Sequence, residues 1–256
     1  MPAIDRRALL AGVGLFFVGY SARAGTPEQL SVDADEGSVA LTRYATGQAE
    51  KRPGVLLLHG TRGFDLKLRA YERYANALST GGIDAYLLRY FTMADTRVFD
   101  SRTSTRESRE AYEAGRFDGW AKRVSAVATT ILARPDSSGR IGLLGFSLGG
   151  FVAADTAARD PRISALAVLY GGIPSAMVSQ VKHLPPLLEL HGEADQNVSP
   201  ADGEKLVKLG KAVGAEAEFV TYPGRRHGFD FSDTDPMAAD AVGRVVRFFE
   251  TRLGVT

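Results

Sequence analysis

A serine lies in the middle of the segment Gly145-Phe-Ser147-Leu-Gly149, whose residue types and spacing could support nucleophilic chemistry. The apolar residues 141–146 predict a buried strand, and the alanine-rich residues after Ser147 predict a helix. On such a sharp turn from strand to helix, a serine has a strained backbone and exposes its hydroxyl at the end of the sheet. Glycines suit the flanking positions because a Cβ would crowd the turn. The segment therefore predicts that Ser147 is a nucleophile.

A serine hydroxyl is a weak nucleophile unless a base takes its proton, and the base needs a carboxylate to orient it. Among the four histidines, His227 follows the last predicted strand, residues 219–222. Asp195 directly follows another predicted strand, residues 187–190. The chain order serine, acid, histidine is typical of the architecture in which Gly-x-Ser-x-Gly turns occur. We therefore expect Ser147, Asp195 and His227 to form a catalytic triad.

Other residues compete for these roles. Glu193 is the nearest alternative to Asp195 as the acid, and Asp202 is a more distant one. His191 follows its strand so closely that its ring is expected to pack beneath the site. His183, which precedes two prolines, is expected to be exposed at the surface.

Acyl transfer also needs N–H donors for the negative oxygen that develops on the substrate. One donor should be the backbone N–H of Leu148, the residue after the nucleophile. The second should come from the loop after the predicted strand 55–58, which reads His-Gly-Thr61-Arg-Gly. We expect the N–H of Thr61 to serve, although the glycines of this loop would equally serve only to turn the chain.

Four residues are candidates for contacts with the substrate. Arg62 and Tyr90, with Arg225 and Arg226, lie near the ends of predicted strands and would favour an anionic substrate, or would be solvated surface residues.

Residues 91–109 are charged and lack apolar periodicity, so they are predicted to be an irregular loop. Because ligands bind at the carboxyl ends of parallel strands, this loop is expected either to overhang the site or to be solvated.

The elements that must position these residues are clear from the hydrophobic pattern. Residues 29–34 and 39–44 alternate around a turn and predict an antiparallel hairpin. After residue 53, continuous apolar runs alternate with helix-period segments, as in a mostly parallel sheet with helices on both faces. The sequence thus predicts a single α/β domain with about eight strands. The apolar runs are 55–58, 83–88, 141–146, 165–170, 187–190 and 219–222, and the helical segments are 68–78, 117–131, 201–213 and 237–253.

Composition excludes several classes of function. The 256 residues include 31 basic and 30 acidic side chains, for a net charge of +1, and no basic stripe indicates nucleic-acid binding. The chain has no cysteine, which excludes disulfides, thiolate metal sites and a cysteine nucleophile.

The first 24 residues resemble a twin-arginine export signal. Arg6 and Arg7 precede an apolar run over residues 8–20, and Ala22-Arg-Ala24 supplies the small residues that a signal peptidase reads. The segment departs from the usual pattern at Asp5 and Ala11. It predicts export to the periplasm or outside, with residues 25–256 as the single mature domain. The run is short for a bilayer, so no membrane insertion is expected after signal removal, and an uncleaved N-terminal anchor is the alternative.

Taken together, three segments resemble the α/β-hydrolase family and, within it, the dienelactone hydrolase-like branch. They are Leu143-Leu-Gly-Phe-Ser-Leu-Gly-Gly150, Leu190-His-Gly-Glu-Ala-Asp195 and His227-Gly-Phe229. The resemblance implies the α/β-hydrolase fold and the same triad, Ser147, Asp195 and His227. Dienelactone hydrolases proper have cysteine as the nucleophile and a glutamate near the position of Gly60, and these departures favour a more general esterase.

The residues and the resemblance predict a serine hydrolase that cleaves a small carboxylic ester or lactone through an acyl-enzyme. Neither a metal nor an organic cofactor is expected. Two alternatives remain open: a peptidase of the same fold, and a catalytically silent binding protein on a hydrolase scaffold.

Overall fold

Eight strands form one sheet in the computed structural model, which describes residues 26–47 and 50–255. The export-signal prediction falls on residues 1–24 and lies outside the described residues. The strands are β1 Glu28–Val32, β2 Val39–Tyr44, β3 Arg52–Leu58, β4 Asp84–Arg89, β5 Ser137–Phe146, β6 Ile163–Leu169, β7 Leu187–Gly192 and β8 Ala217–Tyr222.

The sheet is mostly parallel, as predicted. Its strand order is β1-β2-β4-β3-β5-β6-β7-β8. β1 and β2 form the expected antiparallel hairpin, β2 pairs antiparallel with β4, and the pairs from β4 to β8 are parallel. The carboxyl ends of β3, β5, β7 and β8 therefore reach the same edge, where ligands of such sheets bind.

Helices cover both faces of the sheet. α3, α4 and α5 pack with one hydrophobic cluster, whereas α1 and α6 pack with the other. No helix in the described part of the chain is long and apolar enough to cross a membrane. The helices are α1 Leu68–Thr80, α2 Met93–Asp100, α3 Arg106–Leu132, α4 Leu148–Arg159, α5 Pro200–Ala212 and α6 Pro236–Leu253.

The central strands are apolar throughout because both of their faces are covered. In β3, Leu56 and Leu58 point into one cluster while Val55 and Leu57 point into the other, and all four are fully buried. This is the two-residue period of a strand between two layers.

The prediction of an irregular loop over residues 91–109 is wrong. The segment contains the whole of α2 and the first turn of α3. A capping box begins α2: the Thr92 hydroxyl accepts the N–H of Asp95, and the Asp95 carboxylate accepts the N–H of Thr92. Helix α2 buries only Asp95 and Phe99, so a short polar helix left no apolar period to detect.

Candidate functional site

Ser147 lies between β5 and α4 with a strained backbone. Its φ of 54° and ψ of −122° are unusual for a residue other than glycine. The flanking glycines allow the close approach: a Cβ on Gly145 would lie 2.3 Å from the Gly149 carbonyl oxygen, and a Cβ on Gly149 would lie 2.3 Å from that of Leu58. The backbone of this turn therefore sets the direction of the serine side chain.

The structure brings Ser147, His227 and Asp195 together from three different loops. The Ser147 Oγ lies 2.9 Å from the His227 Nε2. The His227 Nδ1 lies 2.7 Å from the Asp195 Oδ2. The Asp195 side chain is fully buried, whereas the His227 side chain is 18% exposed, so the imidazole can be reached from outside while the carboxylate cannot.

The Asp195 carboxylate is held by its own turn. Its Oδ1 accepts the backbone N–H groups of Asn197 at 2.8 Å and Val198 at 3.1 Å. Glu193, the competing acid, is exposed and accepts the Thr221 hydroxyl instead. Of the two acids, the structure therefore places Asp195 against the histidine.

Chemically, the arrangement can move a proton. A carboxylate is an acceptor only, so it fixes the hydrogen of His227 on Nδ1 and leaves Nε2 free to accept the proton of the Ser147 hydroxyl. Tyr170, at the end of β6, packs its ring 4.6 Å from that of His227 and also has a positive φ, 42°. Strained residues of this kind occur where the surrounding structure fixes a site.

The two residues predicted to supply N–H groups both line the cavity above Ser147. Leu148 is the first residue of α4, where a backbone N–H has no partner within the helix. Thr61 lies in a turn closed by the Gly63 N–H on the Gly60 carbonyl at 3.1 Å. A Cβ on Gly60 would lie 3.2 Å from the Ser147 Cβ, so this turn passes directly beside the serine.

A cavity of about 1050 Å³ opens over the serine. Part of its lining is aromatic or aliphatic, which suits the apolar portion of an organic substrate. Charged side chains of both signs line the rest. The apolar lining includes Phe99, Phe117, Phe151, Ile173 and Phe231, and the charged lining includes Arg62, Lys67, Arg106, Arg109, Glu110, Glu113 and Asp202.

Residues 91–109 contribute to this cavity, in agreement with one of their two predicted positions. Phe99 of α2 and Arg106 and Arg109 of α3 line it. We call this side, residues 93–117, the α2–α3 wall. Glu113 in this wall was not found from the sequence, because a single glutamate in a polar helical segment gives no signal. Burial, and then the charge of Glu110, raises the pKa of Glu113 to about 7.

The α2–α3 wall is held by one buried carboxylate. Asp95 is fully buried and accepts the Tyr112 hydroxyl at 2.8 Å, the Arg116 Nε at 2.8 Å and the Trp120 Nε1 at 3.0 Å. Thr92 contributes its N–H and its hydroxyl. Burial alone would raise the pKa of Asp95, but these hydrogen bonds outweigh it and lower the pKa. We call these five residues the Asp95 cluster.

The two principal candidates for substrate contacts have different outcomes. Arg62 is exposed and lines the cavity. The prediction for Tyr90 is wrong: its side chain is fully buried, and its hydroxyl donates to the His59 carbonyl at 2.9 Å. Its ring stacks on that of His59, whose pKa burial lowers to about 4. Tyr90 therefore packs against His59 and does not line the cavity.

The remaining candidates lie outside the cavity. Arg225 pairs with Asp235 at 2.9 Å, and Arg226 is exposed. His191 is buried beneath the site and His183 is exposed, as predicted. Within residues 26–47 and 50–255, no group of three or more histidine or acidic side chains could hold a metal ion.

Comparison with known proteins gives a family and a fold. The family model of the dienelactone hydrolases matches residues 41–253. A protein of Methylorubrum extorquens, provisionally named a carboxymethylenebutenolidase, is 31% identical over 101 residues. That match covers 35% of this chain and 34% of the relative, so the chain matches only about a third of the relative's length.

Solved structures agree in fold. The dienelactone hydrolase of Anabaena variabilis superposes with a TM-score of 0.70 at 21% identity, covering 89% of this chain and 99% of that protein. A thermostable carboxylesterase cloned from a metagenomic library gives a TM-score of 0.68 at 16% identity, covering 91% and 90%. At these identities the likeness shows the α/β-hydrolase fold alone.

Proposed function

This chain belongs to the dienelactone hydrolase family, and we propose that it is a serine hydrolase that cleaves small carboxylic esters or lactones through an acyl-enzyme on Ser147. The observation that carries the proposal is the continuous contact from Ser147 through His227 to the buried Asp195, at 2.9 Å and 2.7 Å. Family membership supports hydrolysis of esters or lactones, and the three side chains can activate the serine hydroxyl that would attack them.

In the first step, the His227 Nε2 takes the proton of the Ser147 hydroxyl as the oxygen attacks the substrate carbonyl. Asp195 keeps the imidazole in the required tautomer and stabilises the imidazolium that forms. The backbone N–H groups of Leu148 and Thr61 then hold the negative oxygen of the tetrahedral intermediate. Loss of one such donor typically slows an enzyme by about a hundredfold or more.

The imidazolium next gives its proton to the leaving alcohol, and the acyl group remains on Ser147. A water molecule, activated by the neutral His227, attacks the acyl-enzyme and releases the acid. His227 must be neutral to act as the base in both steps.

Serine takes the place of the cysteine found in dienelactone hydrolases proper. Its alcohol has essentially no ionised fraction at neutral pH, so it depends on the base more than a thiol does. The side chain of a glutamate is also absent at Gly60, beside Ser147. Both features favour a general esterase over the specialised lactone reaction.

The proposal is tested with a panel of p-nitrophenyl esters, lactones and peptide amides on wild type and on Ser147→Ala. The variant should lose at least about 10⁴-fold in kcat because the nucleophile is gone. Ser138→Ala, at the opposite end of the same strand, is the matched control and should keep full activity. Faster turnover of peptides than of esters would indicate a peptidase, and a wild type inactive on every substrate would indicate a binding protein.

A further inference from the structure

A second histidine faces the carboxylate that His227 contacts. His191 and Glu189 lie two residues apart on β7, so they share one face of the strand. Both side chains are fully buried, and the His191 Nδ1 lies 2.8 Å from the Glu189 Oε1. The proposed triad uses neither of them.

The other ring nitrogen of His191 is turned toward the acid of the triad. Its Nε2 lies 3.1 Å from the Val198 carbonyl oxygen and 3.4 Å from the Asp195 Oδ2. Both oxygens are acceptors, so Nε2 must carry a hydrogen. The Val198 N–H donates to the Asp195 Oδ1. His191 therefore binds the same short turn that holds the triad carboxylate.

One proton lies between His191 and Glu189. With it the pair has no net charge, and without it the pair carries a negative charge close to Asp195. Burial raises the pKa of Glu189. Burial alone would lower the pKa of His191, but its hydrogen bond to Glu189 and the charge of that carboxylate raise it. Because the pKa of each group is raised, the pair keeps its proton to a higher pH than an isolated carboxyl or imidazole would.

The packing around the pair is tight and contains few other charges. β8 presents Phe219 and Thr221, and the chain after β6 presents the Gly171 N–H, 3.3 Å from the Glu189 Oε1. α5 presents Gly203, where a Cβ would lie 2.6 Å from that oxygen and 2.9 Å from the His191 Nδ1. Among the described residues, Asp195 is the titratable group facing the pair, and His227 lies beyond it.

We propose that Glu189 and His191 are positioning residues for the triad: the Nε2–H of His191 holds Asp195 and the Val198 turn, and Glu189 orients the ring that does so. The proposal rests on the proposed function, because it assigns the pair a part in activating Ser147. It requires no proton transfer. Once the pair loses its proton, lone pairs on the His191 Nδ1 and the Glu189 Oε1 face each other at 2.8 Å. The ring is then held less firmly, and so is its contact with Asp195.

The test measures how fast a fluorophosphonate labels Ser147 as a function of pH. Wild type should show a decline in the labelling rate at alkaline pH, where the Glu189–His191 pair loses its proton. Glu189→Gln keeps the shape of the side chain but cannot hold the charge or the proton. Its amide N–H can donate to the His191 Nδ1 and keep the ring in place, so the variant should label at the wild-type rate at neutral pH and should lack the alkaline decline.

Glu193→Gln is the matched control, since it makes the same change on an exposed carboxyl four residues away. It should leave the labelling rate and its pH profile unchanged. If Glu189→Gln keeps the alkaline decline that wild type and this control show, the positioning role is wrong.

Two variants of His191 separate positioning from simple core packing. His191→Gln can still donate an N–H to the Val198 carbonyl, whereas His191→Leu cannot. With folding verified by circular dichroism, the glutamine variant should label about tenfold faster than the leucine variant, and equal rates would overturn the proposal. A wild type with no adduct on Ser147 would overturn the proposed function itself, whereas a labelled wild type with unaffected variants would overturn the pair alone.

Discussion

The two sides of the cavity are built in different ways. On one side, the chain beyond β5, β7 and β8 supplies Ser147, Asp195 and His227, and backbone turns fix Ser147 and Asp195. On the other side, the two helices of the α2–α3 wall are joined by side chains of α3 that all donate hydrogen bonds to the carboxylate of Asp95 on α2.

This difference separates the chemistry from the shape of the cavity. Substitutions among Ser147, Asp195 and His227 should lower kcat with little loss in the free energy of unfolding, because the strands hold the turns in place. Substitutions in the Asp95 cluster should cost stability and alter the wall, with the triad contacts intact. Three variants, in order of decreasing expected effect, test whether this separation holds.

The largest effect is expected from His227→Asn. Without an imidazole, nothing at this position can take the proton of Ser147, so kcat should fall about 10⁴-fold. The free energy of unfolding in urea should change by no more than about 1 kcal/mol, because the side chain is partly exposed. His183→Asn, an exposed histidine, is the control and should change neither quantity. A large loss of stability in His227→Asn would contradict the separation.

A smaller effect, on stability, is expected from Asp95→Ala. The change leaves the Arg116 guanidinium and the Trp120 and Tyr112 donors without their shared acceptor, which should cost about 3 kcal/mol in urea unfolding. The kcat on small esters should fall far less than in His227→Asn. Asp118→Ala removes a 57% exposed carboxylate from α3, the helix that supplies the donors to Asp95, and should cost no more than about 0.5 kcal/mol. Equal losses in the two variants would show that the Asp95 cluster does not anchor the wall.

The smallest effect is expected from Glu113→Gln, and it depends on pH. The pKa of Glu113 is raised to about 7 in the folded chain, against about 4.3 in an unfolded chain. The folded state thus binds more protons between these values, and ionisation of Glu113 reduces stability as the pH rises through them. Glu113→Gln should therefore match wild type at pH 4 and exceed it at pH 8 by about 1 kcal/mol, allowing for partial exposure.

Glu107→Gln, on the exposed first turn of α3, is the control for that measurement and should give no gain at pH 8. A gain for Glu113→Gln that is equal at both pH values would show that ionisation of this carboxyl is not the cause.

The triad side could be anticipated from the sequence because its signals are local. The Gly-x-Ser-x-Gly turn, the apolar runs and the order of Ser147, Asp195 and His227 each depend on short segments and on the rule that parallel strands end at one edge. The sheet and its N-terminal hairpin followed from the same patterns.

The sequence allowed residues 91–109 to lie over the site, but the helices of the α2–α3 wall and the contacts that hold them could not be anticipated, because their signals are not local. The three side chains of α3 that donate to Asp95 come 17, 21 and 25 residues after it, and no periodicity marks such a pairing in advance. The capping box of α2 has aspartate in the position where glutamate or glutamine is usual. Tyr90 was misassigned for a related reason, because nearness to a strand end does not show which way a side chain points.

The central claim is that the Ser147 hydroxyl oxygen is the attacking nucleophile and that His227 activates it by taking its proton. The most direct test treats the protein with a fluorophosphonate and maps the adduct by mass spectrometry of its peptides. We predict one phosphonate on Ser147 in wild type and a loss of nearly all labelling in His227→Asn. An adduct on another residue, or undiminished labelling of Ser147 in His227→Asn, would contradict the claim.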